Sequence, residues 1–123
     1  MKSKSFSIKK RLISFKYAYE GLKILFKEEQ NALIHFVAAV IAILASIYYN
    51  ISTTEWALIV LAIVGVFGME IINTSIENIS DFISPGKNDK IKTIKDLGAA
   101  AVLLNAIGAL IIAGLIFIPK IFN

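Results

Sequence analysis

The sequence predicts an all-α integral membrane protein, in which an N-terminal amphipathic surface helix precedes three membrane-spanning helices within one domain over residues 1–123. Two observations carry this reading. Of the 123 residues, 57% are hydrophobic and only 18% charged, with a mean hydropathy of +0.73. That is more apolar surface than the interior of a soluble domain of this size can hide. The excess also falls into three long runs, each near the length that crosses a bilayer as a helix. The same composition excludes a soluble enzyme and a disordered or fibrous chain. The sequence has no cysteine, which excludes a disulfide framework, a thiolate metal site, an iron–sulfur cluster and a cysteine nucleophile.

The elements follow in chain order. Residues 6–28 interleave Phe6, Leu12, Ile13, Phe15, Tyr19, Leu22, Leu25 and Phe26 with charges, the pattern of a helix lying on a membrane surface. Residues 1–30 hold Lys2, Lys4, Lys9, Lys10, Arg11, Lys16, Lys23 and Lys27 against Glu20, Glu28 and Glu29. Beside membrane spans, such a basic segment selects anionic lipid headgroups, and nucleic acid is not expected as a partner. It is not a signal peptide, because no short apolar run with a cleavage site occupies it.

The first span is expected over residues 32–49, about 27 Å at helical rise. The connection at 50–55 (NISTTE) has turn character and offers Ser52, Thr53 or Thr54 as an N-cap. The second span is expected over 56–82, its apolar part to residue 72 interrupted only by Glu70. Ser84-Pro85-Gly86 breaks the chain, and the third span is expected over 90–118, with Asn105 the strongly polar member of its apolar part. Tyr48, Tyr49 and Trp56 read as interfacial belt residues. The 84–96 loop carries Lys87, Lys90, Lys92 and Lys95, whereas 50–55 carries no Lys or Arg. The positive-inside rule places the N-terminus and 84–96 in the cytoplasm, the 50–55 loop and C-terminus outside, and leaves Lys120 as an exception.

The polar residues within this apolar frame are the candidates for function. Glu70, Asn73, Glu77 and Asp81 are spaced by three, four and four, which places them within an arc of about 80° on one helix face. A charge at membrane depth costs about 2.5–3.5 kcal/mol on insertion scales, so such groups face a partner or a wet cavity. Three carboxylates on one stripe repel one another, and a cation relieves that; Mg²⁺ is commonly held by one or two carboxylates plus substrate phosphates. For Glu77 and Asp81 plain solvation at a helix end is the alternative, whereas Glu70 sits among apolar residues. The segment 87–96 (KNDKIKTIKD) leads into Gly98-Ala99-Ala100-Ala101, a small-residue run suited to close helix packing. Its lysines suit a polyphosphate, with Lys95 toward phosphate and Asp96 as a backbone, metal or base contact; orientation signalling and helix capping are the alternative. At the entry to the first span stand Glu28, Glu29, Gln30, Asn31 and His35. Glu29 offers a further metal ligand, and the lone His35 reads as an internally bonded residue. No glycine-rich phosphate loop and no protein-kinase or hydrolase motif is present. On these residues alone a phosphotransferase, an ion-conducting oligomer and a membrane scaffold stay equally open.

Residues 70–77 (EIINTSIE) followed by Asp81 resemble the E-x-x-N-S/T-A/S-I-E-x-x-x-D signature of the bacterial diacylglycerol kinase family. Residues 95–103 (KDLGAAAVL) resemble its K-D-x-A/G-A/S-A/G-A-V-L motif, and the similarity runs over nearly the whole chain. The resemblance implies a homotrimer with active sites between subunits that transfers the γ-phosphate of ATP to a membrane lipid alcohol at the cytoplasmic face of the bacterial inner membrane. It implies Glu70 as general base, meeting the lipid together with Asn73 and Ala99. Glu29 and Glu77 would hold Mg²⁺. ATP would meet Lys10, Tyr17, Glu29, Glu77, Asp81, Lys95 and Asp96, with Lys10 standing where the family can carry arginine. One subgroup acts on diacylglycerol and another on undecaprenol; residues 27–31 with His35, the Glu55-Trp56 pair and residues 114–121 look like the undecaprenol subgroup.

Overall fold

Each helix begins where the sequence supplies a polar cap. In the computed structural model, which describes residues 5–123, the order is α1 (Ile8–Glu28), α2 (Gln30–Tyr48), α3 (Thr53–Ile83) and α4 (Asp89–Ile121). Lys2 and Lys4 of the basic N-terminus lie outside the described residues. The last three helices are each long and apolar enough to cross a membrane.

The Ser7 side chain caps α1 by accepting from the Lys10 amide. A single extended residue, Glu29 (φ −109°, ψ 111°), separates α1 from α2. Asn50 then turns the chain with φ 49°, a left-handed conformation that asparagine tolerates better than most residues. Of the three cap candidates, Ser52 is the one used. Its hydroxyl accepts from the Glu55 amide (3.2 Å), and the Glu55 carboxylate accepts from the Ser52 amide (3.0 Å), so two otherwise unpaired donors are satisfied reciprocally. With 31 residues, α3 is about 46 Å long, well beyond a hydrocarbon core of about 30 Å. Its last turns carry Glu77 and Asp81 past the apolar stretch. Asn88 caps α4 by accepting from the Lys90 and Ile91 amides. That helix runs through Pro119 to Ile121, past the end at residue 118 expected from the sequence. The proline removes one helical donor near the terminus, and the Phe122 amide still closes the last turn on Ile118.

The largest interface joins α3 to α4, and it is built on glycine notches. A Cβ at Gly65 would stand 2.9 Å from the Asn105 side-chain oxygen, and one at Gly98 would collide with that of Asn73. At the opposite end from the polar stripe, Ile51, Ile59 and Ile116 form a small buried core flanked by Tyr49, Trp56, Ile63, Ile112 and Phe117. Trp56 and Tyr49 therefore pack inward, while Tyr48 is exposed. A Lys120–Glu55 ion pair at 3.0 Å ties the end of α4 to the start of α3. Elsewhere large apolar side chains such as Leu104, Leu110 and Leu115 face outward. Water would penalise that surface, and hydrocarbon accepts it.

Candidate functional site

The site is assembled by α3, which lays its polar stripe against α2, α4 and the end of α1. Glu70 is 1% exposed and lies against His35, whose Nε2 stands 3.0 Å from Oε1. An ionised carboxylate only accepts, so the imidazole N–H donates in that state. Phe67 meets the His35 ring edge-on, and Phe26 of α1 packs on both Phe67 and Phe36. Aromatic side chains from three helices thus pack together beside the His35 that meets the buried acid.

One turn further, Asn73 is buried and donates from Nδ2 to Glu77 at 3.4 Å. Its Oδ1 and the Thr74 hydroxyl are buried without partners among the described residues. Asn78 donates both to Glu28 (3.0 Å) and to the Thr74 carbonyl (2.9 Å), which draws the end of α1 onto α3. The Glu29 carboxyl is consequently pushed above the ordinary carboxylate value, first by burial and then by the charges of Glu77, Glu70 and Glu28. Such crowding favours a bound cation. Among the described residues no group of three or more His, Cys, Asp or Glu forms a complete metal cage. Glu29 and Glu77, near enough for the charge of one to raise the proton affinity of the other, are hard oxygen donors of the type that holds a cation whose remaining ligands come from phosphates and water.

Asp81, at the end of the stripe, accepts from Lys95 Nζ at 2.5 Å, and Lys92 donates to Asp96 at 2.6 Å. A cleft of about 440 Å³ opens here between α3, the 84–88 loop and α4, lined by Asp81, Gly86, Lys87, Asn88, Lys92 and Lys95 among others. The structure therefore brings together Glu70, Asn73, Glu77 and Glu29 in one cluster, and Asp81 with Lys95 in the adjoining cleft. Asp96 and Ala99 are exposed on α4. Lys10 and Tyr17 sit on exposed turns of α1, where no hydrogen bond or ion pair joins their side chains to the cluster.

The sequence reading missed which partner His35 takes. A signal existed: an imidazole and a carboxylate, each alone in an apolar span, have few other polar groups at their depth and must pair or meet water. The notch between Gly65 and Asn105 left no comparable trace, since it depends on the register of α3 against α4.

Residues 16–117 match the family described as prokaryotic diacylglycerol kinase. The chain is 35% identical over 108 residues to the undecaprenol kinase of Bacillus subtilis, covering 88% of each protein. It is 31% identical over 113 residues to the diacylglycerol kinase of a Synechocystis species, covering 91% of this chain and 65% of that one. With most of its length matched and its carboxylate stripe inside the matched region, the chain belongs to the prokaryotic diacylglycerol kinase family, a family of lipid kinases.

Proposed function

We propose that this chain transfers the γ-phosphate of ATP to the hydroxyl of undecaprenol, at the cytoplasmic boundary of the bacterial inner membrane, as a homotrimer. The observation that carries the chemistry is the buried Glu70, continued by a carboxylate stripe into a lysine-lined cleft. The undecaprenol kinase relative, matched over 88% of both chains, favours that acceptor. Diacylglycerol is the second reading, favoured by the Synechocystis relative.

In this mechanism Glu70 takes the proton of the lipid hydroxyl as its oxygen attacks the γ-phosphorus, and the bond to the β–γ bridging oxygen breaks to release ADP. Asn73 and Ala99 border the lipid headgroup. Glu29 and Glu77 would hold Mg²⁺, which would supply neutralisation of the charge on the nucleotide phosphates. Lys95, Asp96 and Asp81 meet ATP from α4 and the end of α3, and Lys10 and Tyr17 approach it from α1. Phosphoryl transfer needs mainly positioning and charge neutralisation, which helix-borne carboxylates and lysines supply without a glycine-rich loop. A lipid alcohol and a soluble nucleotide meet only at the interface, and α3 spans that boundary.

The test offers undecaprenol and diacylglycerol separately in mixed micelles with Mg²⁺ and γ-labelled ATP. Label in undecaprenol is the expected result. Label in diacylglycerol alone would reassign the acceptor, and label in neither would overturn the kinase reading.

A further inference from the structure

We infer that His35 is a positioning residue for Glu70, fixing the carboxylate for attack by the acceptor; the inference rests on Glu70 being the base proposed above. Glu70 is 1% exposed, and its hydrogen bond within the described chain is the one from His35 at 3.0 Å. That bond reaches Oε1, leaving Oε2 to accept from an incoming hydroxyl. The donor is itself held: Phe67 packs edge-on against the imidazole at 6.5 Å, and α2 is helical on both sides of it. A carboxylate at membrane depth without such a donor would take the desolvation cost unrelieved and would rotate freely about its last torsion.

His35 also faces an apolar groove of about 310 Å³ between α2, α3 and α4, whose walls include Ala38, Ala42, Val66 and Ala109. A lipid alcohol lying along that groove brings its hydroxyl to the His35 end, one hydrogen bond away from Glu70. In the transfer step the hydroxyl proton goes to Glu70 Oε2, the new O–P bond forms, and the β–γ bridge bond breaks to ADP. The His35 N–H stays on its ring throughout, so the histidine sets the direction of the carboxylate and exchanges no proton with substrate.

The experiment compares wild type, His35→Phe and His35→Gln by phosphotransfer to the accepted lipid, with kcat and the KM for ATP measured separately, and with helical content and melting temperature recorded. Phenylalanine keeps a ring against Phe67 and removes the donor, whereas glutamine keeps a side-chain N–H. The expected result for His35→Phe is a kcat about 10- to 100-fold lower, the loss associated with one hydrogen bond to a charged group, and an unchanged KM for ATP. In His35→Gln most of the kcat returns. A wild-type kcat in His35→Phe overturns the inference, as does an equal loss in both variants or a loss that tracks falling helical content. Absence of transfer by wild type itself overturns both this inference and the kinase reading, whereas an active wild type with an active His35→Phe overturns this one alone.

Discussion

Gly98 of α4 lies so close against Asn73 of α3 that a single added carbon would overlap the Asn73 side-chain oxygen. Asn73 cannot move aside cheaply, because it is buried and donates to Glu77. Gly98→Ala is therefore expected to lower stability by about 2–3 kcal/mol, toward the upper part of the usual range for overpacking, and to lower activity with it. Gly65→Ala meets only the end of the half-buried Asn105 side chain and should cost about 1 kcal/mol. Thermal melts in detergent that rank the two variants in this order would check the argument, and Asn105→Ala should relieve the Gly65→Ala defect.

Glu29 makes a prediction about pH in Mg²⁺-free buffer. Its folded-state value is raised above 4.5 by burial and by Glu77, Glu70 and Glu28. The folded protein thus binds this proton more tightly than the unfolded chain does. The stability from that protonation is fully present below about pH 4.5 and is lost as pH rises through the folded-state value. Glu29→Gln should accordingly melt higher than wild type at neutral pH, and the difference should vanish in acid. Adding Mg²⁺ with nucleotide should raise the wild-type melting temperature more than that of the variant.

Lys95 is paired with Asp81 on the wall of the loop cleft. Lys95→Met should raise the KM for ATP by roughly tenfold, in line with loss of a charge-assisted contact at a partly exposed site. The KM for the lipid should stay within about twofold of wild type. Steady-state kinetics with each substrate varied in turn separates the two.

The Ser52–Glu55 capping box stabilises the other end of α3. Ser52→Ala should cost about 1 kcal/mol. The kcat should be unaffected, because Glu70 stands 18 residues away, about 27 Å along the helix. A fall in kcat at temperatures well below the melt would show that the two ends are coupled.

The parts of this architecture that follow from composition were legible in the sequence. Runs of apolar residues locate α2, α3 and α4 because hydrocarbon demands internally bonded helices, and the spacing of Glu70, Asn73, Glu77 and Asp81 fixes their common face whatever surrounds them. Pairings between helices were not legible in the same way. That Lys95 meets Asp81, that Asn78 reaches Glu28 and that His35 meets Glu70 depend on how four helices slide and rotate against each other. Periodicity on one helix carries no information about that offset. The choice of Ser52 over Thr53 and Thr54 is a milder case: Glu55 three residues on favours Ser52 by the capping-box rule, yet each hydroxyl was chemically competent.

The one-residue joint between α1 and α2 has a mechanical consequence. Glu29 is at once the pivot of α1 and the proposed cation ligand, so its backbone torsions and its carboxylate position cannot be adjusted independently. Drawing the carboxylate toward Glu77 applies torque to a rod of 21 residues, about 31 Å long. A swing of about six degrees at the pivot displaces the far tip, near Ser7, by roughly 3 Å. α1 is thus a lever whose short arm is a single side chain, and its tilt would follow the position of that carboxylate.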